Sequence, residues 1–254
     1  MSGTVVFVTD YGLEDGYAAQ LWAAVWSASP GLRCVDGSHL VPPGDVLTAA
    51  YRCKGLARAF GPGTVLCAVV DPGVGGSRAA IAVACDGVSM VAPDTGLVTY
   101  LWIEAGERRA VRLPIPSDAS STFHGRDLFA PVAARLAGGE SLSGCGEPLE
   151  APCLRDDLTP VAAGARLNSL VVSVDHFGNC ITGVRRADLR GRQVAGLSWP
   201  GGETVRLVTT YAEIDVALAV LWNSSGHLEL AAREAPAAAS TGIRVGTKVS
   251  VALR

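Results

Sequence analysis

Short apolar runs that stop at acids alternate, in the first part of this chain, with longer stretches whose apolar residues recur every three or four positions. Val5 to Val8 is such a run, ends at Thr9-Asp10, and predicts a buried strand. After the polar loop Tyr11 to Gly16, the residues Ala18, Leu21, Trp22, Val25 and Trp26 fall at helical spacing. Ser29-Pro30-Gly31 ends that helix, and Leu32 to Val35 reads as a second strand. A strand, a helix and a strand in succession predict a parallel pair with a right-handed crossover. Val46 to Phe60 predicts a second helix, closed by Gly61-Pro62-Gly63. Thr64 to Val70 is short, rich in β-branched residues and uninterrupted, as a buried strand is. Ala80 to Ala84 and Val88 to Ala92 read as two more strands joined at Asp86-Gly87. Leu97 to Ile103 predicts a short helix. Leu128 to Leu136 predicts another, with Pro131 near its first turn and Gly138-Gly139 at its end.

The pattern changes after about Pro152. Strand candidates now dominate: Leu170 to Val174, Thr204 to Thr209, Val216 to Leu221, His227 to Ala231 and Thr247 to Leu253, with turns at Gly201-Gly202 and Ser224-Ser225-Gly226. The chain therefore reads as an α/β domain with a mostly parallel central sheet over residues 1–152. A linker follows at 153–166, then a smaller β-rich domain at 167–254. A cleft between two domains is a usual place for a small ligand.

Composition narrows the class. The 254 residues are 49% hydrophobic and 18% charged, which suits a well-buried protein of one or two domains. A net charge of -3 and a pI near 5.8 leave no electrostatic footprint for nucleic acid. The densest basic group, Arg185, Arg186, Arg190 and Arg192, reads as a solvated face. Seven cysteines, an odd number without a C-x-x-C pair, and no signal-peptide pattern at Met1-Ser2-Gly3 favour a reduced, cytoplasmic setting and disfavour zinc. The apolar stretches are too short or too broken to span a bilayer, so no membrane partner is expected.

Five polar clusters at loop positions are candidates for chemistry. Asp10 and Asp15 follow the first strand. Asp71 ends the third, where open α/β sheets place ligands, and enters a turn with three glycines in four positions before Arg78. His124 stands beside Arg126 and Asp127. Asp175-His176-Phe177-Gly178-Asn179 and Asn223-Ser224-Ser225-Gly226 lie in the second half. Each cluster alone also fits a structural turn, cap or ion pair. The glycines after Asp71 lack the G-x-G-x-x-G order, no G-K-[ST] follows a glycine loop, and no G-x-S-x-G elbow occurs. The four histidines have no metal-ligand spacing.

Taken in order, the motifs are highly specific. They are Val8-Thr9-Asp10-Tyr11-Gly12, Val69-Val70-Asp71-Pro72-Gly73-Val74-Gly75, Ala92-Pro93-Asp94-Thr95-Gly96-Leu97, Phe123-His124-Gly125-Arg126-Asp127-Leu128-Phe129-Ala130-Pro131, Asp175-x-Phe177-Gly178-Asn179 and Asn223-Ser224-Ser225-Gly226. From about Val5 to the C-terminus the chain resembles the S-adenosylmethionine hydroxide adenosyltransferases, hydrolase relatives of the fluorinase and chlorinase enzymes. The resemblance implies an N-terminal α/β domain, a C-terminal β-barrel-like domain and a homotrimer. It places active sites between the N-terminal domain of one subunit and the C-terminal domain of a neighbour. It implies conversion of S-adenosylmethionine and water to adenosine and methionine, with no cofactor and no metal.

The same resemblance maps a catalytic Asp-Arg-His set onto Asp71, Arg78 and His124. Water is a poor nucleophile, with a bulk pKa near 15.7, so something must hold it and take its proton. An always-protonated arginine can stabilise developing hydroxide, and His124 or Asp71 can accept the proton. Asp10 matches a carboxylate for both ribose hydroxyls, with Asp15 a second ribose-side candidate, and Phe123 would wall the C5′ region. Asp175 matches the partner of the methionine ammonium, Ser224 that of its carboxylate, Asn179 an adenine hydrogen-bonder and Tyr211 an adenine-stacking aromatic. Phe177, Asn223 and Glu234 complete the substrate-side set. The fluorinase has tyrosine, tyrosine and serine where this chain has Asp71, His124 and Gly125, and an anionic Asp71 argues for water over halide. Ser225 stands in place of an arginine, and Asp94-Thr95 in place of Asp-Asn. A halide-using sibling and a non-catalytic nucleoside-binding module are the alternatives.

Overall fold

The structure, a computed structural model, describes residues 3–204, 206–215 and 217–254. Val205 and Val216, which fall within two of the expected strands, lie outside the described residues. The chain divides into two compact units, Met1–Leu154 and Arg155–Arg254.

Unit 1 is built on a seven-stranded sheet. In chain order it contains β1 (Thr4–Thr9), α1 (Tyr17–Ala28), β2 (Arg33–Ser38), α2 (Val46–Phe60), β3 (Thr64–Val69), β4 (Ala80–Cys85), β5 (Val88–Pro93), α3 (Thr99–Glu104), β6 (Arg108–Leu113), α4 (Ala130–Ala137), α5 (Leu142–Cys145) and β7 (Glu147–Leu149). The strands lie in the order β2-β1-β3-β5-β4-β6-β7. The first four are parallel, β4 is antiparallel to both its neighbours, and β7 is antiparallel to β6. β4 and β5 form the expected hairpin, with Asp86 and Gly87 at φ 47° and 84°.

Every residue of β1 and β3 is buried, because helices cover both faces of the sheet. Val5 and Phe7 pack with Leu21 and Val25 of α1 and with Ala130, Ala133 and Ala134 of α4. Val6 and Val8 pack on the other face with Ala49, Cys53 and Ala57 of α2. The strand period of two thus sends alternate side chains into two cores, and each fully buried Val or Leu contributes about 1.5–3 kcal/mol.

After β1 the chain goes to β2 on one side, then returns to β3 on the other. The carboxyl ends of β1 and β3 flank this switch point, the usual place for a ligand crevice. Thr9 pairs with Val69 there, so Asp10 and Asp71 leave the sheet side by side.

Unit 2 is antiparallel. It contains β8 (Val161–Ala163), β9 (Arg166–Val174), β10 (Cys180–Arg185), β11 (Val194–Trp199), β12 (Gly202–Thr204), β13 (Leu218–Trp222), β14 (His227–Ala232), α6 (Ala237–Thr241) and β15 (Lys248–Leu253). The order is β12-β11-β15-β9-β10-β14-β13, with β8 added to β9. The two ends approach each other: Thr204 Oγ1 donates to the Leu218 carbonyl at 3.3 Å, and Val220 N–H to the Arg206 carbonyl at 2.9 Å. The sheet is therefore nearly closed into a barrel around Val171, Val184, Val220, Leu228 and Val251.

Three departures from the sequence reading have local causes. Thr204 to Thr209 is not one strand. Among the described residues, β12 ends at Thr204 and only Leu207 bridges to Val220, because this segment crosses from one sheet edge to the other. The segment 153–166 carries a 3-10 turn at Asp156–Leu158 and then β8. β6, β10 and β11 lie beyond the expected strands: three of the six residues of β6 are exposed arginines, and β10 and β11 each contain a glycine, so none presents an unbroken apolar run.

Candidate active site

Three side chains from two loops meet at the switch point of unit 1. Asp71 follows β3, and Arg78 stands at the far end of the glycine turn. Arg78 Nε donates to both Asp71 oxygens at 3.0 Å, and Nη2 donates to Oδ2 at 2.5 Å. The same Nη2 lies 2.7 Å from His124 Nδ1. The Asp71 and Arg78 side chains are only 6% and 9% exposed, so this is a buried ion pair. The guanidinium carbon also lies 5.4 Å from the Phe129 ring centroid. Nη1 of Arg78 is buried and has no hydrogen-bond partner among the described residues.

Backbone geometry brings the two loops together. Gly75 has φ 75°, and a Cβ there would lie 2.5 Å from the Ser121 carbonyl oxygen, so only glycine lets the Asp71 turn slide under the loop that carries His124. That loop is tied down by Asp127, which accepts from Ser120 N–H at 2.9 Å and pairs with Arg126. Arg126 and Asp127 thus serve each other, and the Arg126 guanidinium holds the Asp127 carboxyl below the usual range. The expected helix at Leu128 starts differently: Gly125–Phe129 forms a π turn ahead of α4, with Ala130 N–H donating to the Gly125 carbonyl. Pro131 follows immediately and has no N–H of its own. Such turns recur at functional sites.

A guanidinium only donates, so His124 Nδ1 must accept, which puts the imidazole proton on Nε2. Burial, then Arg78, lowers the His124 pKa. Charging the ring would set a second cation against the first. The unfolded chain takes up a proton near pH 6.5 and the folded chain only below that. The stability this arrangement provides is therefore complete above pH 6.5 and is lost as pH falls toward the lowered folded value. Thermal melts across pH 4–8 should show that acid limb in the native chain, and His124→Asn should flatten it by about half.

Asp10 accepts from Gly44 N–H at 2.8 Å, and burial raises its pKa against that bond. Phe123 is half-buried and makes edge-on contacts with Tyr11 at 5.6 Å and Tyr17 at 5.3 Å. Asp15 is exposed in the loop before α1. Asp94 accepts from Cys153 N–H at 2.7 Å, and Thr95 Oγ1 is buried with no partner among the described residues.

Unit 2 carries a separate group around a cavity of about 550 Å³, lined among others by Asp175, Phe177, Asn179, Tyr211, Glu234 and Pro236. Asp175 closes an Asx turn: Oδ1 accepts from Phe177 and Asn179 N–H at 3.0 and 2.8 Å, and Oδ2 from Asn179 Nδ2 at 2.9 Å. Phe177 is 75% exposed and Asn179 is buried. Asn223 and Ser224 do not line that cavity. Asn223 Oδ1 accepts from Ser225 and His227 N–H at 3.0 Å, and Ser224 is exposed beside it.

Two residues escaped the sequence reading as site candidates. Tyr11 sits inside the first motif, directly after Asp10. Glu229 is 1% exposed on β14, accepts from the Tyr211 hydroxyl, and burial pushes its carboxyl up. An acid in the middle of the apolar run His227 to Ala231 was its available signal. Among the described residues no cluster of His, Cys, Asp and Glu could hold a metal ion, and no helix is long and apolar enough to cross a membrane.

Residues 5–146 match the family described as SAM hydroxide adenosyltransferase N-terminal domain, and residues 169–250 match its C-terminal domain. A protein of Thermus thermophilus named (R)-S-adenosyl-L-methionine hydrolase is 36% identical over 96% of this chain and 98% of its own length. One of the same name from Salinispora tropica is 43% identical over 69% of each. The crystal structure of an uncharacterized conserved protein from Thermotoga maritima superposes with a TM-score of 0.87 at 29% identity, covering 98% of this chain and 99% of that one.

Proposed function

The chain belongs to the SAM hydroxide adenosyltransferase family, and from that premise we propose that it hydrolyses S-adenosyl-L-methionine at ribose C5′, giving adenosine and L-methionine. The observation that carries this reading is the buried Asp71–Arg78–His124 chain, in which Arg78 Nη1 keeps its donors for something other than the described protein.

Water oxygen attacks C5′ from the side opposite sulfur. The C5′–S bond breaks, and its electron pair leaves with sulfur as the neutral thioether of methionine. Arg78 Nη1 donates to the attacking oxygen as negative charge gathers on it. His124 has no free ring lone pair, since Nδ1 is taken and Nε2 carries the proton. The group left to accept the water proton is Asp71, whose lone pairs outnumber its bonds to Arg78. His124 fixes the guanidinium rather than acting as base. Holding water in line with a sulfonium that departs uncharged makes positioning a large part of the rate.

Asp10 takes the ribose hydroxyls and Phe123 walls C5′. Asp175 and Asn179 receive the methionine ammonium and the adenine, with Tyr211 against the base and Ser224 on the carboxylate. The working form is a homotrimer in which neighbouring subunits complete each site, as the family resemblance implies. The relatives' names carry the (R) sulfonium epimer, and that epimer is the substrate proposed here.

The test is product identification. Purified protein with S-adenosylmethionine and a chelator should release adenosine and methionine in equal amounts. The (R) epimer should be consumed at least about 10-fold faster than the (S), a discrimination of about 1.4 kcal/mol. Light scattering should give the mass of three copies. Substrate left intact, or 5′-chloro-5′-deoxyadenosine formed on adding chloride, would overturn the reading.

A further inference from the structure

The mechanism gives no task to the hydroxyl of Tyr11, which stands directly after Asp10. Its position is tightly determined. The backbone N–H of Tyr11 donates to Thr9 Oγ1 at 3.3 Å. Thr9 Oγ1 lies 2.8 Å from His39 Nδ1, and His39 Nε2 lies 2.9 Å from Asp36 Oδ1, which also accepts from Trp22 Nε1 at 2.8 Å. Thr9 and His39 are buried, so this relay serves the turn and not solvent. The ring is held edge-on against Phe123 at 5.6 Å and Tyr17 at 6.2 Å.

The hydroxyl ends over Gly125, the residue after His124. A Cβ on Gly125 would lie 2.2 Å from Tyr11 Oη and 3.1 Å from its Cζ. The phenol therefore occupies the space that any side chain at 125 would take. Oη makes no hydrogen bond to the described protein. Burial, with Asp10 and Asp71 nearby, raises its pKa, so it stays a donor. A fixed O–H against Gly125, one residue from the His124 that meets Arg78, has no acceptor in the described protein and so is free for water or a ligand oxygen.

We propose that Tyr11 acts directly on the nucleophile: as Asp71 takes the water proton, the hydroxide-like oxygen has three lone pairs, of which one accepts from Arg78 Nη1, one from the Tyr11 hydroxyl, and one attacks C5′. This rests on the hydrolase reading. It also explains why residue 125 is glycine, since a larger side chain and this phenol exclude each other.

The experiment moves the hydroxyl from one residue to the other. Tyr11→Phe keeps the ring and should lower kcat about 20-fold, with KM and adenosine affinity within about 2-fold of native and Tm unchanged. Gly125→Ser in the native background collides with Oη and should abolish turnover. In the Tyr11→Phe background the serine delivers its own hydroxyl to nearly the same place, and kcat should return to within about 5-fold of native. Native kcat in Tyr11→Phe, or a double variant no faster than Tyr11→Phe, overturns the proposal. So does a loss of kcat matched by equal losses of adenosine affinity and Tm, which assigns Tyr11 to packing. Absence of adenosine from the native protein is a different failure and removes the hydrolase reading itself.

Discussion

Arg78→Met is expected to lower kcat about 1,000-fold, because it removes the donor proposed for the attacking oxygen and the partner that orients both Asp71 and His124. It is also expected to destabilise the fold. Asp71 is 6% exposed, and an unpaired carboxylate so placed costs about 3–5 kcal/mol, which for a chain of this size lowers Tm by about 10 °C. The two losses have separate causes and can be separated. Adding Asp71→Asn removes the orphaned charge, so the double variant should regain about half of the lost Tm while remaining inactive. Steady-state kinetics and calorimetry on the three proteins decide it. A double variant with restored turnover would show that the ion pair only supports the turn.

Asp175 carries the second large effect, on binding. Both its oxygens already accept from the turn that ends in Asn179, so Asp175→Ala removes a charge and a scaffold together. KM for S-adenosylmethionine should rise about 100-fold, with a fall in Tm. Asp175→Asn keeps Oδ1 as the acceptor for the two backbone N–H groups and loses the charge together with the acceptor for Asn179 Nδ2. It should leave Tm within about 2 °C and raise KM about 30-fold, the equivalent of one charged hydrogen bond of about 2 kcal/mol. Unchanged KM in Asp175→Asn would show that the ammonium is held elsewhere.

These expectations depend on features of different legibility. The helices at Tyr17–Ala28 and Val46–Phe60 follow from apolar residues at helical spacing, and the acids at the ends of β1 and β3 follow from where the apolar runs stop. Both signals are local. The motif order from Asp10 to Ser224 was enough to indicate the family, because six short patterns in sequence constrain far more than any one. β6 and β11 were not legible, since their outward arginines and internal glycine break the run that local reading depends on.

By itself the sequence determined the alternation of strands and helices, the acids at the crevice and the resemblance to a family, because backbone preference and side-chain period act over a few residues. The tertiary structure alone decided that His124 crosses 46 positions to reach Arg78, that its proton therefore sits on Nε2, and that a tyrosine hydroxyl fills the space above Gly125. It alone placed Glu229 under Tyr211. Proton positions and donor directions depend on which distant groups packing brings within 3 Å, and no local pattern carries that information.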